Sequence, residues 1–135
     1  MIELKQVPVD ETVAREMLLR ADAAKANTYP ESGGYAVCVL SDQGNVYEGI
    51  SYKSATLTLT MHSEATALAN AAIHGEKNII AITGPNCHIC KQLIWESALQ
   101  SGIDVQVIIP DGDTVTFVPI SEMMPYPWPG EDGSK

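Results

Sequence analysis

Behind Asp10, a residue able to cap a helix, Val13, Met17, Leu18 and Ala21 recur at three- and four-residue spacing. This predicts an amphipathic helix over 11–26. The turn-rich "NTYPESGG" ends it, and two β-rich runs follow, "YAVCVL" and "VYEGISY". They flank "SDQGN", so they read as a hairpin. The alanine-rich "HSEATALANAAIHG" predicts a helix closing at Gly75, and "NIIAIT" a buried strand. "CHICKQLIWESALQSG" predicts a helix closing at Gly102, and "IDVQVII" and "TVTFVPI" are two further strands.

Only "PDGD" separates those last two strands. A parallel crossover needs about a dozen residues or more, so they are expected to be antiparallel. The order α-β-β-α-β-α-β-β predicts an α/β fold, a three-layer mixed sheet of about five strands flanked by helices, ending in a short turn around "SEMM". Residues 1–128 are expected to form one domain. Residues 129–135, in the proline- and glycine-rich end of the chain, are expected to form a flexible tail.

Composition narrows the partners. The 135 residues carry 8 basic and 17 acidic side chains, a formal charge of −9, which repels polyanions unless the cations form a stripe. Lys5, Arg15, Arg20, Lys25, Lys53, Lys77, Lys91 and Lys135 are scattered singly. A small-molecule substrate is therefore expected, and not nucleic acid. No apolar run has the length of a membrane span, and "MIELKQVPVDE" lacks the basic-then-apolar order of a signal peptide, so a cytoplasmic protein is expected. Three cysteines without an export signal point to thiol or metal chemistry in place of a disulfide framework.

Cys87 and Cys90 share one face of a helix start, where unpaired amides favour thiolates. His62 begins the preceding helix, so two helix N-termini can bring one imidazole and two thiolates together. Three protein ligands leave a zinc coordination position for water, which is the arrangement of a catalytic site. Glu64 is placed to shuttle protons beside it. Two other readings stay open on the residues alone. One is a redox pair formed by "CHIC"; the other is a structural zinc site completed by Cys38, His74 or His88.

H-x-E followed by C-x-x-C is the signature of zinc-dependent deaminases. The sequence resembles the cytidine deaminase superfamily from its first helix nearly to its end: "HSEATALANAA" is similar to the zinc-and-glutamate helix, "PNCHICKQ" to P-C-x-x-C-R-Q, and "SEMMPYPW" to the terminal L-L-P-x-x-F. The antiparallel end places it nearer the small free-nucleoside deaminases. The resemblance implies Zn2+ on His62, Cys87 and Cys90, with Glu64 catalytic. It implies a hydrolase in which activated water attacks an amine-bearing ring carbon and Glu64 protonates the departing ammonia. It also implies a homo-oligomer, tetramer or dimer, in which Tyr126 and Trp128 close a neighbouring subunit's pocket.

The departures concern substrate. Where the family has G-x-N-x-E-N-A, whose amide and carboxylate hold ribose, this chain has "GISYKSA", with Ser51 and Lys53 at those positions. Ala65 stands in place of an arginine, consistent with a site carrying one thiolate fewer. Pro85 and Asn86 occupy the segment from which the family aims a carbonyl at the substrate amine. A cytosine-type nucleoside or related small amine-bearing heterocycle is the expected substrate. A modified base, a nucleotide or a nucleoside antibiotic is the alternative within that chemistry.

Overall fold

The computed structural model describes residues 3–128. Helix α1 spans Glu11–Ala24, and the Asp10 side chain accepts from the Thr12 amide at 2.7 Å, as expected of a cap. It ends short of residue 26 and passes into a 3-10 turn, Lys25–Asn27. The strands are β1 Ala36–Ser41, β2 Val46–Ile50, β3 Ile79–Thr83, β4 Gln106–Asp111 and β5 Thr114–Pro119. Helix α2 is Ser63–Ile73 and α3 is His88–Ser101, so the predicted element order holds.

The strands form one sheet in the order β2-β1-β3-β4-β5. Only β3 and β4 are parallel, and α3 is the crossover that joins them. The last two strands are antiparallel, with Ile108 opposite Phe117. The period-two alternation of β1 serves two layers: Val37 and Val39 pack with Ala67, Ile94 and Ala98 of α2 and α3, while Cys38 and Leu40 pack with Ala14 and Met17 of α1. No helix among the described residues is long and apolar enough to cross a membrane.

Two strands differ from their predicted extents. "VYEGISY" leaves the sheet after Ile50 because the Ser51 carbonyl accepts from the Tyr29 amide and the Tyr35 amide turns to Ser51 Oγ, each at 3.2 Å, while the Thr66 hydroxyl satisfies the outer edge of Ile50, at 2.8 Å from its amide and 2.7 Å from its carbonyl. Tyr52 then pairs with Tyr29 and Met61. "IDVQVII" joins its ladder only at Gln106, because Ile103 pairs with Lys5 and the buried Asp104 carboxylate binds Gln6 Nε2 at 2.8 Å and the Ser121 amide at 3.1 Å. The turn near "SEMM" is a 3-10 turn, Ile120–Met123. The tail expected at 129–135 lies outside the described residues.

The two ends of the sheet differ. At the end formed by the β1–β2 turn, the Glu76 carboxylate accepts from Ser41 Oγ, Tyr47 OH and Asn45 Nδ2, and those bonds hold it below the ordinary carboxylate range. At the other end the N-terminus of α2 lies against β2. A Cβ on Gly49 would sit 2.2 Å from the Ser63 carbonyl oxygen and 2.3 Å from the Ala67 amide, both backbone atoms. Gly49→Ala is therefore expected to destabilise the fold by about 2 kcal/mol or more through overpacking. Urea denaturation checks this; a loss under about 0.5 kcal/mol would show that α2 is free to move away.

Candidate functional site

His62 is the N-cap of α2, Cys87 the N-cap of α3, and Cys90 the third residue of α3. His62 uses no side-chain atom for capping, so its ring is free to turn toward α3. Its Nδ1 lies 3.5 Å from Cys87 Sγ and 3.2 Å from Cys90 Sγ, and the three donor atoms all fall within 4.8 Å of one another. A zinc tetrahedron with Zn–S near 2.3 Å and Zn–N near 2.0 Å has N···S edges of roughly 3.5 Å, so the observed spacing fits zinc. Cys90 is buried, and burial, followed by the negative charge of Glu64, pushes its thiol above the ordinary range. A cation is what would hold that sulfur as thiolate. His62 and Cys87 are exposed, which leaves the cluster an open side.

Glu64 follows in the first turn of α2 and is only 7% exposed. Both of its oxygens are held: Ser63 Oγ donates to Oε1 at 3.1 Å and Asn86 Nδ2 donates to Oε2 at 2.8 Å. Asn86 Nδ2 also donates to the Thr83 carbonyl at 3.2 Å. Fixed carboxylate and converging donors are the components of proton transfer beside a metal.

Two clefts flank this centre. One, of about 350 Å³, runs from Glu64 and Ser63 past Pro85 to Tyr35, Ala21 of α1 and Lys25 of the turn that follows it. The other, of about 540 Å³, borders His62 and Cys90 and is walled by Met61, Ile89 and Leu93. Of the candidate substrate contacts, Pro85 lines the Glu64 cleft and Asn86 touches Glu64 itself. Ser51 is buried, its Oγ accepting from the Tyr35 amide at 3.2 Å, and it lines neither cleft. Lys53 is exposed and lines neither; its amide bonds the Tyr29 carbonyl at 3.0 Å. Tyr126 and Trp128 lie with His88 and Lys91 in a separate cleft of about 370 Å³, where the Trp128 carbonyl accepts from Gln92 Nε2.

No fourth ligand joins the three among the described residues. Cys38 is buried in β1, its thiol pushed up to about 12, chiefly by burial. His74 Nδ1 is bonded to the Asn70 carbonyl at 2.8 Å, and its ring stacks on Tyr47. Two contributors escaped the sequence reading, Ser63 and Thr83. Their only signal was a hydroxyl residue beside Glu64 and another closing an otherwise apolar strand.

Metal analysis under reducing conditions is expected to find about one zinc per chain, lost in His62→Ala and kept in Cys38→Ala. After chelation, a thiol reagent is expected to label exposed Cys87 in the native state and Cys38 only on unfolding. Zinc loss in Cys38→Ala, with folding intact, would place a ligand where the geometry has none.

Comparison with known proteins agrees with this geometry. The family model for the cytidine and deoxycytidylate deaminase zinc-binding region matches residues 9–104. A cytidine deaminase of Sodalis glossinidius is 32% identical over 113 residues, covering 73% of this chain and 36% of that protein. One from Salmonella paratyphi B is 31% identical over 106 residues, covering 76% of this chain and 35% of the relative. The chain thus spans about a third of the length of these curated relatives. Among solved structures, cytidine deaminase from Burkholderia pseudomallei superposes with a TM-score of 0.70 at 21% identity, covering 84% of this chain and 98% of that one. The Mycobacterium tuberculosis enzyme gives 0.66 at 19%, covering 90% and 98%. These two likenesses bear on the fold. With the family model spanning most of the sequence, and His62, Cys87 and Cys90 gathered at one point, the chain belongs to the family of the cytidine and deoxycytidylate deaminase zinc-binding region.

Proposed function

We propose that this chain is a zinc-dependent hydrolytic deaminase of a small amine-bearing heterocycle of the cytosine type. The observation that carries the reading is the buried Glu64 carboxylate, held by both oxygens beside His62, Cys87 and Cys90 and opening on a cleft of about 350 Å³. Zinc bound there would supply a Lewis acid that makes water acidic near neutral pH. Glu64 takes a proton from the attacking water and delivers it to the adjacent ring nitrogen, then passes the remaining hydroxyl proton to the amine as the C–N bond breaks. The water oxygen becomes a ring carbonyl and ammonia leaves. The low exposure of Glu64 keeps bulk water from competing for that proton.

The ribose-holding function is where this chain parts from its relatives. An amide and a carboxylate accept hydrogen bonds from sugar hydroxyls; Ser51 Oγ is already engaged by Tyr35, and an ammonium such as that of Lys53 has no acceptor. Cytidine and deoxycytidine are accordingly poor substrates in this reading. A base carrying an acceptor or anionic group, or none of the sugar, is preferred.

Assembly is part of the proposal. Leu57, Leu59, Met61 and Ile89 are exposed, and the latter two wall the cleft beside the metal ligands; this supports a homo-oligomer. Tyr126 and Trp128 are exposed and outside this chain's own Glu64 cleft, which supports a role for them at a neighbour's.

Glu64→Ala is expected to keep zinc and lose turnover by about 10²- to 10⁴-fold. The assay is ammonia release over cytidine, deoxycytidine, their monophosphates, cytosine, guanine, pterins and nucleoside antibiotics. Retention of most activity would overturn the mechanism. Cytidine turnover with kcat/KM on the order of 10⁵ M⁻¹s⁻¹ would overturn the specificity alone. Truncation before Tyr126 is expected to raise KM severalfold while zinc content stays constant; unchanged kinetics would remove both aromatics from the site.

A further inference from the structure

Asn86 stands between Pro85 and Cys87, directly ahead of a metal cysteine, and is 9% exposed. Its side-chain amide nitrogen faces two groups that only accept, Glu64 Oε2 at 2.8 Å and the Thr83 carbonyl at 3.2 Å. Rotating the amide by half a turn would bring its own oxygen against both, so chemistry alone fixes its orientation. The two hydrogens of the NH₂ group are thereby both used. Its oxygen Oδ1, by contrast, is buried without a partner among the described residues, and a Cβ on Gly84 would approach it to 3.0 Å. A residue present only to fill space would avoid that orphaned acceptor by being apolar. What distinguishes asparagine here is its donor.

We propose that Asn86 is the positioning residue of Glu64, fixing the carboxylate relative to the sheet and so selecting which oxygen meets the reacting proton. Glu64 sits on α2, while Thr83 ends β3, where its hydroxyl accepts from the buried Cys38 amide at 2.9 Å. Asn86 bridges these two elements. Through it the carboxylate is referenced to the central strands as well as to its own helix, and the Ser63 hydroxyl holds the other oxygen. A glutamate side chain has three rotatable bonds, and proton transfer tolerates little error in placement. Gly84 belongs to the same device. A methyl there would press on Asn86 Oδ1 and come within 2.6 Å of Val107 Cγ1.

The inference rests on the deaminase reading, and its test separates the two. Asn86→Asp keeps the shape and replaces the donor with an acceptor facing Glu64. It is expected to keep its fold and zinc content and to lower kcat by about 10- to 100-fold, with KM within about threefold, on whichever compound of the panel the unaltered protein turns over. Asn86→Ala, which adds no charge, is expected to lie between the two, and it carries the test should Asn86→Asp not fold. A kcat within about threefold of the parent in Asn86→Ala, or a loss confined to KM, would overturn the proposal, the second outcome assigning Asn86 to substrate contact. Independently of turnover, the side-chain amide of Asn86 in the ¹⁵N–¹H spectrum of the zinc-loaded protein is expected to shift in Glu64→Ala. An unmoved resonance would overturn the clamp. If no compound is deaminated by the parent protein, the deaminase reading fails while the amide spectrum still decides the contact.

Discussion

The packing of α2 against β2 at Gly49 is the constraint on which the active end depends. No side chain fits between strand and helix there, so the first turn of α2 lies as near the sheet as backbone allows. That brings His62 and Glu64 level with the end of β3, from which the chain enters α3 through Cys87. Two helix N-termini thus converge, and each contributes the positive end of its dipole where thiolates and a carboxylate gather. Any change that lifted α2 would separate the imidazole from the sulfurs and loosen Glu64 from Asn86 together. Fold stability and site geometry are therefore coupled through one contact.

Helices α2 and α3 were readable because each announces its own ends. Gly75 and Gly102 adopt positive φ, 82° and 75°, where the pattern predicted closure, and His62 and Cys87 sit at the N-caps. Topology was readable at β4 and β5 because a short connection excludes a parallel pair. The extents of β2 and β4 were not, because their limits are set by partners distant in sequence: Tyr29 and Tyr35 for Ser51, and Lys5 and Gln6 for Ile103 and Asp104. A local pattern of alternating residues contains no trace of those bonds.

The site divides in the same way. The candidate ligands follow from residue type and spacing, so His62, Cys87 and Cys90 emerge from the chain directly. Their support does not. Asn86 reaches Glu64 across 22 positions of sequence, and Thr83 enters through its backbone oxygen, which any residue would offer. Ser51 shows the converse. Its position suggested a substrate contact, yet its hydroxyl is occupied by the Tyr35 amide, a bond that only the folded loop creates.

The segment after β2 is tied down by main-chain groups together with the hydroxyls of Ser51, Ser54 and Thr60. Tyr29 bonds the Ser51 carbonyl, Lys53 bonds the Tyr29 carbonyl, and Tyr52 and Met61 exchange amide and carbonyl at 3.0 and 2.8 Å. Such bonds are indifferent to which side chain is attached. Lys53, whose side chain is exposed and makes none of these bonds, can therefore be replaced while the path of the loop stays put. Side-chain chemistry at that position is uncoupled from foldability, whereas at the buried Ser51 the two remain joined through its bond to Tyr35.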